Sequence, residues 1–146
     1  MAFTSIIVPV YNEEQNIRYF YNELIKYAPA EMELIWIDDG STDNTFLEIE
    51  QLCQQQTRIK CISFSKNFGH QNAILAGLKH ATGDSIIIMD GDLQHPPSII
   101  PAMLQQLQEG YNIVNGKRIS TSKINFFKKQ MMKVRKQKIK FFDYNL

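Results

Sequence analysis

The chain has 146 residues, of which 44% are hydrophobic and 21% charged, which fits one folded domain and excludes disordered and collagen-like classes. The net charge of +1 is unevenly distributed: residues 117–146 hold ten basic residues and one acid, whereas residues 1–116 hold six basic and 14 acidic residues. No apolar run approaches the roughly 20 residues of a membrane span, and no signal-peptide pattern opens the chain. Cys53 and Cys61 match neither a disulfide framework nor a zinc motif. We therefore expect a cytoplasmic protein.

Strand and helix patterns alternate along the chain. Apolar runs predict strands at residues 4–10, 33–38, 59–65, 84–90 and 111–118. Helical spacing and terminal capping residues predict helices at residues 13–28, 41–56, 69–81 and 97–110. This order predicts an α/β fold, with a mostly parallel sheet covered by helices on both faces. In such folds the ligand binds outside the carboxyl ends of the strands, so the residues at those ends are the candidates for function.

The end of the first strand carries residues suited to a nucleoside. Pro9 fits a strand end, where its missing N–H is tolerated, and the Tyr11 ring can stack on a flat ring. Glu13 can accept hydrogen bonds from a ribose or a base. A structural alternative is a helix entry, with Asn12 as the cap and acids at the positive end of the helix dipole.

The end of the second strand carries the adjacent carboxylates Asp38 and Asp39. Either carboxylate can accept a hydrogen bond from an N–H group on the edge of uracil or guanine. A capped turn explains Gly40 and residues 41–44 without any ligand. A dinucleotide site is excluded, because no G-x-G-x-x-G motif follows any strand.

The third strand ends in a loop that contains a cation, a glycine and a histidine. Lys66 can contact a diphosphate as a point charge, and Gly69 allows backbone to approach a ligand closely. His70 and His80 are interpreted as capping or surface residues rather than as site residues.

The fourth strand ends in Asp90 and Asp92, which are two residues apart and therefore point to the same face of the strand. Two neighbouring carboxylates repel each other unless a cation lies between them. Mg²⁺ is usually bound by one or two carboxylates together with substrate phosphates, and Gln94 offers one more oxygen. The pattern therefore predicts a divalent metal and a phosphorylated ligand at this end of the sheet.

Four segments together resemble the family 2 glycosyltransferases of GT-A fold: SIIVPVYNEEQNI, IDDGSTDNT, SKNFGHQNAILAGLKHATGD and MDGDLQHPP. The FGHQ and DLQHPP forms are similar to the branch of dolichyl-phosphate mannosyltransferases and polyprenyl-phosphate glucosyltransferases. The resemblance covers residues 4–118. It implies an inverting transfer of a sugar from a UDP- or GDP-linked donor, with Mg²⁺ or Mn²⁺, to an acceptor such as a polyprenyl phosphate.

The strand ends and the resemblance together give a set of expected site residues. The residues expected at the nucleotide sugar are Pro9, Tyr11, Glu13, Ile37, Asp39, Lys66, Asp90, Gly91 and Arg118. The expected metal ligands are Asp90, Asp92 and Gln94. Family members continue beyond this length, and no residue here matches their catalytic base. A catalytically incomplete fragment that only binds nucleotide sugar, or has no function, is therefore the alternative.

The predicted organisation is a nucleotide-sugar-binding domain at residues 1–118 and a basic, helical tail at residues 119–146. Residues 123–142 combine basic side chains with near-helical apolar spacing. This pattern favours peripheral contact with the anionic inner face of the cell membrane. A solvated helix and a remnant of an acceptor segment are the alternatives for this tail. Nucleic acid is not an expected partner because the body of the chain is acidic. A phospho-accepting receiver domain is excluded because its aspartate is missing at the third strand end.

Overall fold

The computed structural model describes residues 3–92, 94–118 and 139–144. The chain divides into two compact units, Met1–Pro97 and Ser98–Leu146. This division falls earlier in the chain than residue 118, and the organisation into residues 1–118 and 119–146 stays a prediction.

The first unit is built on a parallel sheet of four strands in the order β3-β2-β1-β4. The strands are β1 (Thr4–Val10), β2 (Met32–Asp38), β3 (Ile59–Ser63) and β4 (Ser85–Ile88). In the centre of the sheet Ile7 lies beside Ile35 on one side and Ile88 on the other. The pairing of β1 with β4 ends at Ile7. Pro9 lies beyond this point, so its missing N–H leaves no hydrogen bond to β4 unmade. The α/β class and the parallel sheet predicted from the sequence are confirmed.

Helices cover both faces of this sheet: α1 (Ile17–Tyr27) and α2 (Thr45–Gln55) lie on one face, and α3 (His70–His80) lies on the other. Alternating side chains along β2 determine which helix each residue contacts. Trp36 packs edge-on against Phe20 of α1, with ring centroids 5.6 Å apart. Ile35 and Ile37 point the opposite way and form a buried cluster with Ala73 of α3.

Close contact between α3 and β1 depends on Gly77. A Cβ at this position would lie 2.4 Å from Cγ2 of Ile7, which is far inside van der Waals contact. The absence of a side chain therefore allows the helix to approach the strand at this distance.

The amino end of the sheet is held by the buried carboxylate of Glu33. Its Oε1 accepts hydrogen bonds from the Ser5 hydroxyl (2.6 Å) and from the N–H and hydroxyl of Thr82 (2.7 and 2.9 Å). Its Oε2 pairs with the Lys60 Nζ at 2.6 Å. Burial alone would raise the pKa of Glu33, but the bonds from Lys60, Ser5 and Thr82 outweigh it and lower the pKa to about 2. The carboxylate thus connects β1, β2, β3 and the segment before β4.

The second unit contains a 3₁₀ turn that starts at its border (Pro97–Ile99), α4 (Ile100–Gln108), and strands β5 (Ile113–Arg118) and β6 (Ile139–Tyr144). The two strands form a separate parallel pair that starts with Ile113 beside Ile139. The predicted strand at residues 111–118 is present as β5. Strand β6 includes the last part of residues 123–142, so the predicted helix is wrong for that part. Residues 119–138 of the predicted tail lie outside the described part of the chain. Among the described residues no helix has the length and apolarity of a membrane span.

Candidate functional site

A cavity of about 390 Å³ lies at the carboxyl ends of β1, β2 and β4. Seven of the residues expected at the site line it: Pro9, Tyr11, Glu13, Asp39, Asp90, Gly91 and Asp92. Gly69, which was expected to allow a close approach of backbone to a ligand, also lines it, and the residues not expected there are Val10, Asn67, His70 and Ala73.

Three of the other expected residues do not line the cavity. Ile37 is fully buried in the core against α3, so its side chain does not face a ligand. The Lys66 ammonium lies 5.2 Å from the centre of the Phe68 ring, where it makes a cation–π contact. Gln94 is exposed, and its backbone N–H donates to Oδ1 of Asp92 at 3.0 Å. Arg118 ends β5 in the second unit, and its side chain lies outside the description.

Two loops that follow β1 and β2 hold each other through Asn12. This residue has a positive φ of 54°, which is uncommon for any residue other than glycine. Its Oδ1 accepts the Thr42 N–H at 2.8 Å, and its own N–H donates to the Ser41 hydroxyl at 2.9 Å. The cavity residues Tyr11 and Glu13 flank Asn12 and are therefore fixed by these bonds. The structural alternative in which Asn12 caps α1 is wrong, because that helix begins after Asn16.

The two adjacent carboxylates at the end of β2 have different partners. Asp38 accepts hydrogen bonds from the Ser41 N–H (3.0 Å), within the predicted turn, and from the Ser63 hydroxyl at the end of β3 (2.8 Å). Asp39 is buried, and its two oxygens accept the backbone N–H groups of Phe68 (2.8 Å) and Gly69 (2.9 Å). Asp38 therefore stabilises its own turn and bonds to β3, and Asp39 connects β2 to the loop before α3.

Asp90 lies between two imidazoles that sequence reasoning did not place in the site. His70 Nε2 is 3.4 Å from Oδ1 of Asp90, and His95 Nδ1 is 3.8 Å from Oδ2. His70 is the first residue of α3 and follows Gly69, whose φ is +94°. The signal that pointed to His70 was its place after the third strand end, but a single histidine there is more often a cap or a surface residue.

The carboxylates of Asp90 and Asp92 fit a hard divalent cation. Both line the same cavity, and carboxylate oxygen is the ligand type that Mg²⁺ and Mn²⁺ prefer. Within the described ranges no group of three or more His, Cys, Asp or Glu side chains is arranged to hold a metal. The residues therefore fit a cation whose coordination is completed by ligand phosphates and water. Gly91 between them is buried, and a Cβ there would lie 2.6 Å from Cγ1 of Val10.

Comparison with known proteins identifies the family. Residues 5–146 match the model of glycosyl transferase family 2. An uncharacterized glycosyltransferase of Bacillus subtilis, YkcC, is 41% identical over 129 residues, which cover 86% of this chain and 40% of that protein. The bactoprenol glucosyl transferase of Shigella phage SfX is 40% identical over 121 residues, which cover 81% of this chain and 40% of the relative.

Solved structures show the same fold. One is a mannosyltransferase from Pyrobaculum calidifontis, PcManGT, in complex with GDP-Man and Mn²⁺. It superposes with a TM-score of 0.69 at 22% identity, and the aligned part covers 81% of this chain and 36% of PcManGT. The S. aureus protein TarS, residues 1–349, in complex with UDP-GlcNAc, superposes with a TM-score of 0.66 at 24% identity and covers 84% and 36% respectively. The chain spans about 40% of the length of the relatives it matches. The match to the family model over nearly the whole chain, together with these relatives, confirms the resemblance: the chain belongs to glycosyl transferase family 2.

Proposed function

We propose that this chain binds a nucleotide diphosphate sugar and is the donor-binding part of a glycosyltransferase that transfers the sugar, with inversion, to a polyprenyl phosphate. The observation that carries the proposal is the cavity at the strand ends, in which Tyr11 and Glu13 meet Asp90 and Asp92. This combination offers an aromatic ring, a hydrogen-bond acceptor and a metal-binding pair within one space of about 390 Å³. The donor complexes of PcManGT and TarS support a nucleotide-linked sugar as the ligand class.

In this proposal the nucleoside lies against the end of β1. Tyr11 is 43% exposed at the cavity, so its ring has a free face on which a base can stack. Glu13 is oriented by its own helix entry, because its Oε2 accepts a hydrogen bond from Asn16 Nδ2 at 2.6 Å. Its other oxygen can accept a ribose hydroxyl. Pro9 and Gly91 contribute surface without side-chain donors, which lets the ligand approach the backbone.

Asp90 and Asp92 are the proposed ligands of Mg²⁺ or Mn²⁺, with the nucleotide diphosphate completing the coordination. When bound, the metal neutralises negative charge on the departing diphosphate. His70 and His95 keep Asp90 between two imidazoles and so limit the orientations of its carboxylate. Arg118 is proposed to meet the diphosphate by the family resemblance alone.

The acceptor in this proposal is an anionic lipid phosphate. A phosphate monoester has a second pKa of about 6, so it is already a nucleophilic anion at neutral pH and needs little help from a general base. The bactoprenol glucosyl transferases among the relatives support this acceptor class. The basic residues of 123–142 are proposed to contact anionic lipid at the inner face of the membrane, each contributing about 1 kcal/mol near the surface. The rival proposal is a chain that binds the donor and transfers nothing.

Calorimetric titration of UDP, GDP and their sugars tests the proposal, with Mn²⁺ present and with a chelator. We expect metal-dependent binding by the wild-type chain and its loss in Asp92→Ala. Asp84→Ala is the matched control, because this carboxylate lies at the amino end of β4, where it accepts the Phe3 N–H at 3.0 Å. Turnover with a polyprenyl phosphate would support transfer, and binding without turnover would support the rival. Failure of every nucleotide to bind would refute the donor site.

A further inference from the structure

Two loops meet beside the end of β1: residues 12–14 after β1 and residues 41–45 after β2, here together named the latch. Three consecutive backbone N–H groups of the first loop donate to three side chains of the second. The donor and acceptor pairs are Asn12 to Ser41 (2.9 Å), Glu13 to Thr45 (2.7 Å) and Glu14 to Asp43 (3.3 Å). The position of the first loop therefore depends on side chains of the second.

The Thr45 hydroxyl is the central acceptor of the latch. This residue is fully buried. Its hydroxyl proton is donated to Oδ1 of Asp43 at 2.6 Å, because an ionised carboxylate can only accept. The lone pairs of the hydroxyl oxygen are then left for the N–H of Glu13, 2.7 Å away. The bonds thus form a chain of fixed direction, from Glu13 to Thr45 and from Thr45 to Asp43, in which each bond strengthens the next.

Asp43 orients this hydroxyl as a carboxylate. Burial alone would raise the pKa of Asp43, but the bonds from the hydroxyl and the N–H of Thr45 outweigh it and lower the pKa below its ordinary value. Part of this arrangement belongs to the helix entry, since α2 begins at Thr45 and its N–H donates to Oδ1 of Asp43 at 2.9 Å. A helix entry does not explain the bond from Glu13, which lies 32 positions from Thr45 in the sequence.

The bond to Thr45 concerns the ligand because Glu13 lines the cavity. The backbone of Glu13 is held by Thr45, and its Oε2 accepts a hydrogen bond from Asn16 Nδ2 at 2.6 Å. These two contacts restrict the positions from which the carboxylate can meet a ligand. The latch includes neither Asp90 nor Asp92, which line the cavity from the end of β4.

We propose that Thr45 and Asp43 are positioning residues for the nucleoside part of the ligand. Thr45, oriented by Asp43, holds Glu13 in place before the ligand arrives, so binding of the nucleoside requires little ordering of this loop. This inference rests on the proposed nucleotide site and concerns one end of it. The competing role is purely structural: the two residues would then start α2 and affect folding stability alone.

The two roles differ in the part of the ligand that they affect. UDP and GDP contain a nucleoside and a diphosphate, whereas inorganic pyrophosphate contains the diphosphate alone. A residue that positions Glu13 changes the affinity for UDP or GDP and leaves the affinity for pyrophosphate with Mn²⁺ unchanged. A residue that only supports the fold changes both affinities alike or changes neither.

The experiment is calorimetric titration of UDP, GDP and pyrophosphate, each with Mn²⁺, into the wild-type chain, Thr45→Val and Thr45→Ser. Valine keeps the shape of threonine but leaves the N–H of Glu13 without its acceptor. We expect the affinity for nucleotide to fall about tenfold in Thr45→Val, on the scale of one donor left unpaired. The affinity for pyrophosphate should stay within about twofold of wild type. Thr45→Ser keeps the hydroxyl and should bind nucleotide within about threefold of wild type.

Two further variants keep the test decisive. Thr82→Val is the matched control, because it removes a hydroxyl that donates to a carboxylate, that of Glu33 at 2.9 Å, at the amino end of the sheet. It should lower stability in urea unfolding and leave both affinities unchanged. Asp43→Ala keeps the Thr45 hydroxyl but removes the group that orients it. It should give the same difference between nucleotide and pyrophosphate, and it decides the question if Thr45→Val does not fold.

A double-mutant cycle tests whether Thr45 acts through Glu13. In a Glu13→Ala background, Thr45→Val should change the affinity for nucleotide by less than about twofold, because no carboxylate is left to position. The cycle also decides the question if pyrophosphate binds too weakly to measure.

Equal losses for nucleotide and pyrophosphate, no loss for either, or the full loss in the Glu13→Ala background would overturn the inference and leave the nucleotide site in place. Failure of UDP and GDP to bind the wild-type chain would overturn the proposed function itself, and the inference with it.

Discussion

Lowering the pH from 7 to 3 is expected to remove about 2 kcal/mol of folding stability through Glu33 alone. Glu33 is 3% exposed and lies at the amino end of the sheet, remote in the sheet from the cavity. Its carboxylate is bound by Ser5, Lys60 and Thr82, which belong to three other segments of the unit. Protonation removes the negative charge to which these donors bond, so the effect concerns the packing of β1, β2 and β3 together.

The size of the effect follows from the pKa. Burial would raise the pKa of Glu33, but the bonds from Lys60, Ser5 and Thr82 lower it from 4.5 to about 2 in the folded chain. A carboxylate with a lowered folded-state pKa stabilises the fold fully above its unfolded pKa and loses this contribution as the pH falls through the folded value. A shift of this size corresponds to about 3 kcal/mol in total, of which about 2 kcal/mol disappears between pH 7 and pH 3.

Urea unfolding at a series of pH values between 3 and 7 measures this contribution. Glu33→Gln keeps an oxygen acceptor for Ser5 and Thr82 but does not titrate, and Glu31→Gln removes an exposed carboxylate nearby as the control. We expect wild type and the control to lose stability in parallel. The difference between wild type and Glu33→Gln should shrink by about 2 kcal/mol between pH 7 and pH 3. A difference that stays constant with pH would refute the assignment of the low pKa to this cluster.

Three further substitutions have expected outcomes. Gly77→Ala should destabilise the chain by about 1–3 kcal/mol in urea unfolding, because the new Cβ would lie 2.4 Å from Ile7 Cγ2. Gly91→Ala should lower the metal-dependent affinity for nucleotide more than it lowers folding stability, because the new Cβ would push against Val10 and move the segment between Asp90 and Asp92. Calorimetry measures the affinity, and urea unfolding measures the stability. Asn12→Ala should destabilise by about 1–3 kcal/mol, and Asn12→Gly should lose less because glycine tolerates the φ of 54°, a difference that thermal unfolding measures.

Most of the first unit could be predicted from local sequence. Strands buried on both faces of a parallel sheet are continuous apolar runs, and the helices between them carry one apolar stripe, so the periodicity changes at each boundary. The strand β6 could not be predicted in this way. Its residues Ile139–Tyr144 mix charged and apolar side chains, and its partner β5 ends 21 residues earlier, so the pairing depends on a contact that no local pattern records.

The position of the site was predictable, because the carboxyl ends of parallel strands meet at one edge of the sheet. The rule predicted that Tyr11, Glu13, Asp90 and Asp92 lie close together, and all four line one cavity. It did not identify His70, since nothing in the sequence shows that the end of the third strand and the start of α3 turn toward Asp90.

The roles of the acidic residues were less predictable than their positions, as Asp38 and Asp39 show. The two carboxylates are adjacent and look equivalent in sequence, and both were candidates for a base contact. Asp38 accepts from the Ser41 N–H three positions away and from the Ser63 hydroxyl 25 positions away, whereas both partners of Asp39 are backbone N–H groups, 29 and 30 positions away in the loop before α3. Buried N–H groups need acceptors, so a carboxylate at a strand end can meet this need as readily as it can meet a ligand. An acidic pair at the ligand end of a sheet is therefore evidence for a site only together with its surroundings, and Asp90 and Asp92 carry the proposed donor site because they line one cavity with Tyr11 and Glu13.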